Sequence, residues 1–127
     1  MLVRLAIVLA AVGVAALALR RWRRAPLLSR IDPATLGFTG PAIVQFSAPY
    51  CAPCERARPH LERAARESGV AFVDVDLAVR PDLAGRYGIR SVPVVIVAGP
   101  DGQVLGRWTG TPPGGEIRSL AERARAV

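Results

Sequence analysis

Ile43-Val44-Gln45-Phe46-Ser47-Ala48-Pro49-Tyr50-Cys51-Ala52-Pro53-Cys54 contains the only two cysteines of a 127-residue chain, and its reading decides the fold. Ala42–Ser47 is a short apolar run that predicts a buried strand. From Ala52 to Ser68 charged and small residues recur at helical spacing until Gly69, which predicts a helix. Cys51 therefore falls at a helix N-terminus. There the unpaired backbone N–H groups favour a thiolate over a thiol. The thiolate is the form that attacks disulfides, so Cys51 is a candidate nucleophile and Cys54, one turn on, a candidate resolving thiol. A C-x-x-C beside a βαβ pattern reads as a redox motif.

The length suits one domain of ordinary size. A formal charge of +7 invites a nucleic-acid reading, but the arginines are unevenly placed. Six of the 17 basic residues precede the first acid, Asp32, and from Ile31 onward 11 arginines face 10 acids. The globular part is nearly neutral, so no nucleic-acid partner is expected.

The basic N-terminal part accompanies an apolar run. Leu5–Leu19 is 15 residues without a polar side chain. With Met1–Val3 and a snorkelling Arg4 it makes a helix of about 28 Å, close to the hydrocarbon thickness of a bilayer. Arg20-Arg21-Trp22-Arg23-Arg24 then joins positive charge to an interfacial aromatic. The expected organisation is a single-pass membrane anchor at 1–20, a basic juxtamembrane linker at 21–40 and a globular domain at 41–127. A cleaved signal peptide ending near Ala16-Leu17-Ala18 is the alternative, opposed by the four arginines that follow. A buried helix of a soluble domain is a third reading. The arginine excess on the C-terminal flank puts the domain on the cytoplasmic side by the positive-inside rule; an extracytoplasmic domain is the alternative.

Beyond the first helix, Val70–Asp76 predicts a strand parallel to Ala42–Ser47, because a helical crossover joins them. Asp82–Tyr87 predicts a short helix, Val94–Val97 a buried strand, and Pro100-Asp101-Gly102 a hairpin turn leading into a strand at Gln103–Thr109. Glu116–Ala126 predicts a closing helix with Ile117, Leu120, Ala121 and Ala124 on its inner face. The element order is β-α-β-α-β-β-α. Pro59 lies inside the long helix, Glu62 and Arg66 are spaced as an i,i+4 pair, and His60 reads as a surface residue. Trp108 reads as core. Asp74 and Asp76 read as edge and cap residues.

From about Ala42 to Val127 the chain resembles the thioredoxin family. The resemblance rests on Phe46–Cys54, on Pro59, on Val73-Asp74-Val75-Asp76, on Tyr87-Gly88-Ile89-Arg90-Ser91-Val92-Pro93 and on Gly110. The whole chain looks like the small membrane-anchored thioredoxin-like proteins of bacteria. The resemblance implies an α/β fold, a thioredoxin-like three-layer sandwich around a mixed four-stranded sheet (βαβαββα), preceded here by one transmembrane helix. It implies that Cys51 attacks, Cys54 resolves, and Tyr50, Ala52, Pro53 and Val92 support an extended substrate beside a cis Pro93. In two places the pattern changes: Gln45 stands where the family often buries an aspartate under the second cysteine, and Phe72 stands where it has a lysine. Glutamine cannot accept a proton, so Gln45 is expected to modulate resolution, which becomes slower or relies on water or on the thiolate itself.

The expected activity is thiol–disulfide exchange through Cys51-Ala52-Pro53-Cys54 with no bound cofactor, acting on disulfide-containing proteins and recharged by an unidentified electron donor. Pro53 leans the couple toward the reducing end. The alternative is a non-catalytic peptide-binding or scaffold module of the same fold at the membrane. An inert disulfide is disfavoured because so short a loop stabilises little. No metal is expected: a structural zinc site wants four ligands, and the chain offers two cysteines and His60. Covalent haem is excluded because Glu55, not histidine, follows the second cysteine.

Overall fold

A computed structural model describes residues 1–24 and 30–127; for 21–24 it describes the backbone helix only. The helix α1 spans Leu2–Arg24, and its Leu2–Arg20 stretch has a mean hydropathy of 2.6 with none of it buried. The interfacial reading of Trp22 and its arginines, and the linker reading of 25–29, lie outside the described residues.

The remaining elements are α2 (Pro33–Leu36), β1 (Ala42–Ser47), α3 (Ala52–Ser68), β2 (Ala71–Asp76), α4 (Pro81–Arg86), β3 (Val94–Ala98), β4 (Val104–Thr109) and α5 (Gly114–Ala126). The strands form one mixed sheet in the order β2-β1-β3-β4. β2 runs parallel to β1, with Gln45 opposite Asp74, as the intervening helix requires. β3 is antiparallel to both β1 and β4. The central strands β1 and β3 are buried at every position, which is why they are almost wholly apolar.

Alternate side chains of the central strands feed two cores. Val44, Phe46, Val94 and Ile96 meet Leu83, Tyr87 and Ile89 on one face. Ile43, Val95 and Val97 meet Leu61 and Ala65 of α3 and Ile117, Ala121 and Ala124 of α5 on the other. Trp108 packs against this second core, partly buried. The result is three layers, as the resemblance implies.

Residues 30–40 differ from the expected linker. Ile31, Leu36 and Phe38 are buried within the first core. Asp32 caps α2 by accepting the Ala34 N–H at 3.1 Å, with Pro33 at the first helical position. Tyr87 Oη accepts the Asp32 N–H at 3.1 Å, and Ile31 N donates to the Gly102 carbonyl at 2.8 Å. The proline and glycines that suggest a linker instead build a capped single turn sealing the sheet. The ion pairs around α3 also differ from the expected Glu62–Arg66: Arg58 pairs with Glu55 and Asp74, and Glu67 with Arg118 of α5.

Candidate active site

β1 delivers the chain to the cysteines and α3 begins on them. Cys51 is the N-cap of α3, and its Sγ accepts the Cys54 N–H at 3.2 Å. A sulfur placed there takes one of the unpaired donors of the first helical turn. Once the sulfur is reduced, the same hydrogen bond and the positive helix end favour its anionic form. Cys51 and Cys54 are joined as a disulfide, with their Cα atoms 5.3 Å apart. The two sulfurs are not equivalent. Cys51 is partly accessible, whereas Cys54, in the first turn of α3, is wholly buried. Only Cys51 can meet a partner from solution.

Ala52 and Pro53 form the exposed first turn of α3, where proline's missing N–H costs nothing. Tyr50, directly before Cys51, has φ 61°, and its side chain is fully exposed. A non-glycine residue in the left-handed region costs on the order of 1–2 kcal/mol. The turn that aims Cys51 outward thus holds an aromatic ring in solvent.

The Val92–Pro93 peptide bond is cis, the geometry the resemblance implies. Because Val94 pairs with Phe46, Pro93 enters the sheet at the end where β1 hands over to the cysteine loop. Pro93 lacks an N–H, so this approach is unblocked by a donor, while its carbonyl accepts the Gly110 N–H at 2.8 Å. His60 is exposed on α3, as its surface reading expects.

Beneath the second cysteine lies a polar cluster that the sequence reading found only in part. Gln45 is fully buried on β1, and its Nε2 donates to the Cys54 carbonyl at 3.3 Å. Beside it, Ser47 Oγ donates to Asp74 Oδ1 at 2.5 Å and Arg58 Nε donates to Asp74 Oδ2 at 2.5 Å. Asp74 is thus no simple edge residue. It shares the parity of Phe72, which packs against the α3 and α5 core, so its carboxylate lies under α3. That shared parity was the available signal. The Asp74 carboxylate, followed by Glu55, holds the Arg58 guanidinium above its ordinary pKa. Asp76 accepts the Ala78 N–H at 2.8 Å in the turn after β2, and the N-cap of α4 is Arg80, so Asp76 caps no helix. Among the described residues no cluster of metal-ligating side chains occurs.

The matching family model is Thioredoxin, over residues 36–123. Thioredoxin of Bacillus subtilis (strain 168) is 31% identical over 86 residues, spanning 66% of this chain and 82% of that protein. Thioredoxin C-2 of Corynebacterium nephridii is 32% identical over 85 residues, spanning 65% and 78%. Among solved structures, a mutant thioredoxin from Halobacterium salinarum NRC-1 superposes with a TM-score of 0.64 at 25% identity, covering 76% of this chain and 83% of that one. With a redox-capable Cys51–Cys54 pair at the head of α3, the chain belongs to the thioredoxin family of thiol–disulfide oxidoreductases.

Proposed function

We propose that this chain is a membrane-tethered reductase of protein disulfides, held by α1 with its catalytic domain on the cytoplasmic side. The unequal exposure of the two sulfurs carries the chemical half of this reading. In the dithiol, Cys51 Sγ as thiolate attacks one sulfur of a substrate disulfide. The substrate S–S bond breaks, and its electron pair leaves on the other substrate sulfur, which takes up a proton. Cys54, deprotonated, then attacks Cys51 Sγ, and the second substrate thiol departs. The substrate gains two electrons, and the Cys51–Cys54 disulfide awaits an external dithiol donor. Burial keeps Cys54 from competing for external disulfides while leaving it one turn from Cys51.

Tyr50, Ala52 and Pro53 form the rim that an incoming chain meets, and Val92 offers backbone groups to it beside cis Pro93. Gln45 modulates the resolving thiol from below. The anchor reading is supported by the 19-residue span Leu2–Arg20, apolar and exposed along its length. The arginines from Arg20 to Arg24 support the cytoplasmic orientation.

Reduction of insulin by the full chain in detergent, supplied with dithiothreitol, tests the enzymatic half against Cys51→Ser. The reading expects catalysis that the variant loses; equal rates refute it. Labelling of Cys51 by a membrane-impermeant maleimide tests the topology. The reading expects labelling only after lysis, and labelling in intact cells reverses the orientation.

A further inference from the structure

A cavity of about 180 Å³ lies between α3, α5 and the loop that follows β4. Its floor is apolar: Leu61, Ala64 and Ile117 are each at most 6% exposed. Its rim is basic and exposed, formed by His60 and Arg63 of α3 and Arg118 of α5. Among the described residues no carboxylate lines it. Arg118 pairs with Glu67 at 2.6 Å, but Arg63 has no ion-pair partner among the described residues. An apolar cavity of about 150 Å³ holds a benzene ring, so this floor can take one aromatic side chain. The rim asks for negative charge beside that ring.

Two structural paths connect the cavity to the cysteines. On α3, Pro53, Arg56, His60 and Arg63 recur at spacings of three and four, so they share one helix face, and all four are exposed. That face runs from the turn beside Cys51 to the cavity. Glu55 and Glu62 fall on the opposite face, where Arg58 pairs with Glu55. From the sheet side, Thr111 also lines the cavity and follows Gly110, whose N–H donates to the Pro93 carbonyl at 2.8 Å. His60 stands nine residues beyond Cys51 on the helix, about 14 Å along its axis. An extended chain covers that distance in about four residues.

We propose that this cavity is a side-chain pocket for the protein substrate. It seats an aromatic residue followed by an acidic one, about four positions from the substrate cysteine that joins Cys51. The ring covers Leu61, Ala64 and Ile117, removing their remaining apolar surface from water. The carboxylate at the rim accepts from the Arg63 guanidinium and from a ring N–H of His60. Arg56, exposed between the cysteines and the cavity, disfavours substrates that are basic along the same stretch. The inference rests on the reductase reading and adds to it which protein disulfides are preferred.

The full chain in detergent, supplied with dithiothreitol, is assayed on disulfide-linked peptides with amidated C-termini. Glycine and serine spacers set Phe-Glu, Phe-Gln or Ser-Glu four positions from the cysteine, on either side of it. In the better orientation, KM for Phe-Glu is expected about fivefold below both others, as a few partly exposed charge contacts would give. The advantage over Phe-Gln should shrink at high salt. Arg63→Gln should bring the Phe-Glu and Phe-Gln values within about twofold of each other. Equal KM values in the wild type, or an undiminished gap in the variant, overturn the proposal. So does a gain confined to a peptide ending in Phe with a free carboxylate, because the pocket would then read a chain end. If no peptide is reduced, the reductase reading is what fails, and the pocket is judged by binding. A cysteine-free Phe-Glu peptide should then move the amide NMR signals of Arg63 and Ile117; unmoved signals overturn the pocket itself.

Discussion

Replacing Gly102 with alanine should unseat the segment that joins the N-terminal part of the chain to the sheet. Gly102 has φ +82°, and a Cβ built there would lie 2.0 Å from the Ile31 carbonyl oxygen and 2.9 Å from Pro33 Cδ. The first contact is with backbone and cannot be relieved by a rotamer change. Three costs combine. Alanine in the left-handed region costs about 1–2 kcal/mol. Moving the Ile31 backbone away forfeits its hydrogen bond to the Gly102 carbonyl, about 1 kcal/mol. Ile31, now 1% exposed, regains water contact at a cost of up to about 2 kcal/mol. The total is about 2–5 kcal/mol, a large share of the stability of an ordinary domain. Gly40→Ala is the matched control: its φ is +75°, but nothing lies within 4 Å of the added carbon, so only the strain of about 1–2 kcal/mol applies. Urea denaturation of both variants, followed by tryptophan fluorescence, measures the difference. Proteolysis near Arg30 should rise for Gly102→Ala alone. Equal losses for the two variants would show that residues 31–38 do not hold the sheet as described.

Leu61→Ala removes a side chain 2% exposed between α3 and the second core, and should cost about 2–5 kcal/mol in the same denaturation; a loss below about 1 kcal/mol would refute its place in that core. Tyr50→Gly should relieve the left-handed backbone while deleting the exposed ring. Stability is expected to stay level or rise by about 1 kcal/mol, with insulin reduction falling more than reduction of a small aromatic disulfide; equal falls would argue against a role in protein contact. The Thr35 hydroxyl chiefly, then the backbone N–H groups of Ala34 and Thr35 and the charge of Arg86, hold the Asp32 carboxyl below its usual 3.8 against an opposing desolvation. A depressed carboxyl stabilises the fold above pH 3.8 and loses that contribution as pH falls through its lower folded value. Thr35→Val should move the Asp32 midpoint up toward 3.8 in a carboxyl-carbon NMR titration; an unmoved midpoint refutes the cause.

The βαβαββα order was legible because its punctuation is local: Gly69, Gly88 and the Pro100-Asp101-Gly102 turn each end an element within a few residues of where it stops. The placement of Cys51 at the head of α3 was legible for the same reason. Residues 31–38 resemble a linker in sequence because Pro33, Gly37 and Gly40 are equally at home in one. Only the Asp32-Pro33 pair, an N-cap followed by proline at the first helical position, marks a turn of helix there. The Arg58–Asp74–Ser47 cluster stayed hidden for a different reason. Its partners are 16 and 27 residues apart, and only the parallel register of β1 with β2 brings them together. Gln45 stands out in the sequence as a departure, but its hydrogen bond depends on where α3 sets the Cys54 carbonyl.

The docking of Arg30 and Ile31 fixes the pole of the sheet at which the preceding chain arrives. Arg30 bridges to Gln103, and Ile31 bonds to Gly102, both at the hairpin where Ala98 lies opposite Ala42. The cysteine loop leaves the sheet at the other pole, where Val94 lies opposite Phe46. At about 3.3 Å per residue, the length of β3 separates these poles by roughly 15 Å. The segment that precedes the sheet therefore joins it at the pole away from the sulfurs. The sulfurs occupy the opposite pole, so a protein that reaches Cys51 need not touch residues 30–38.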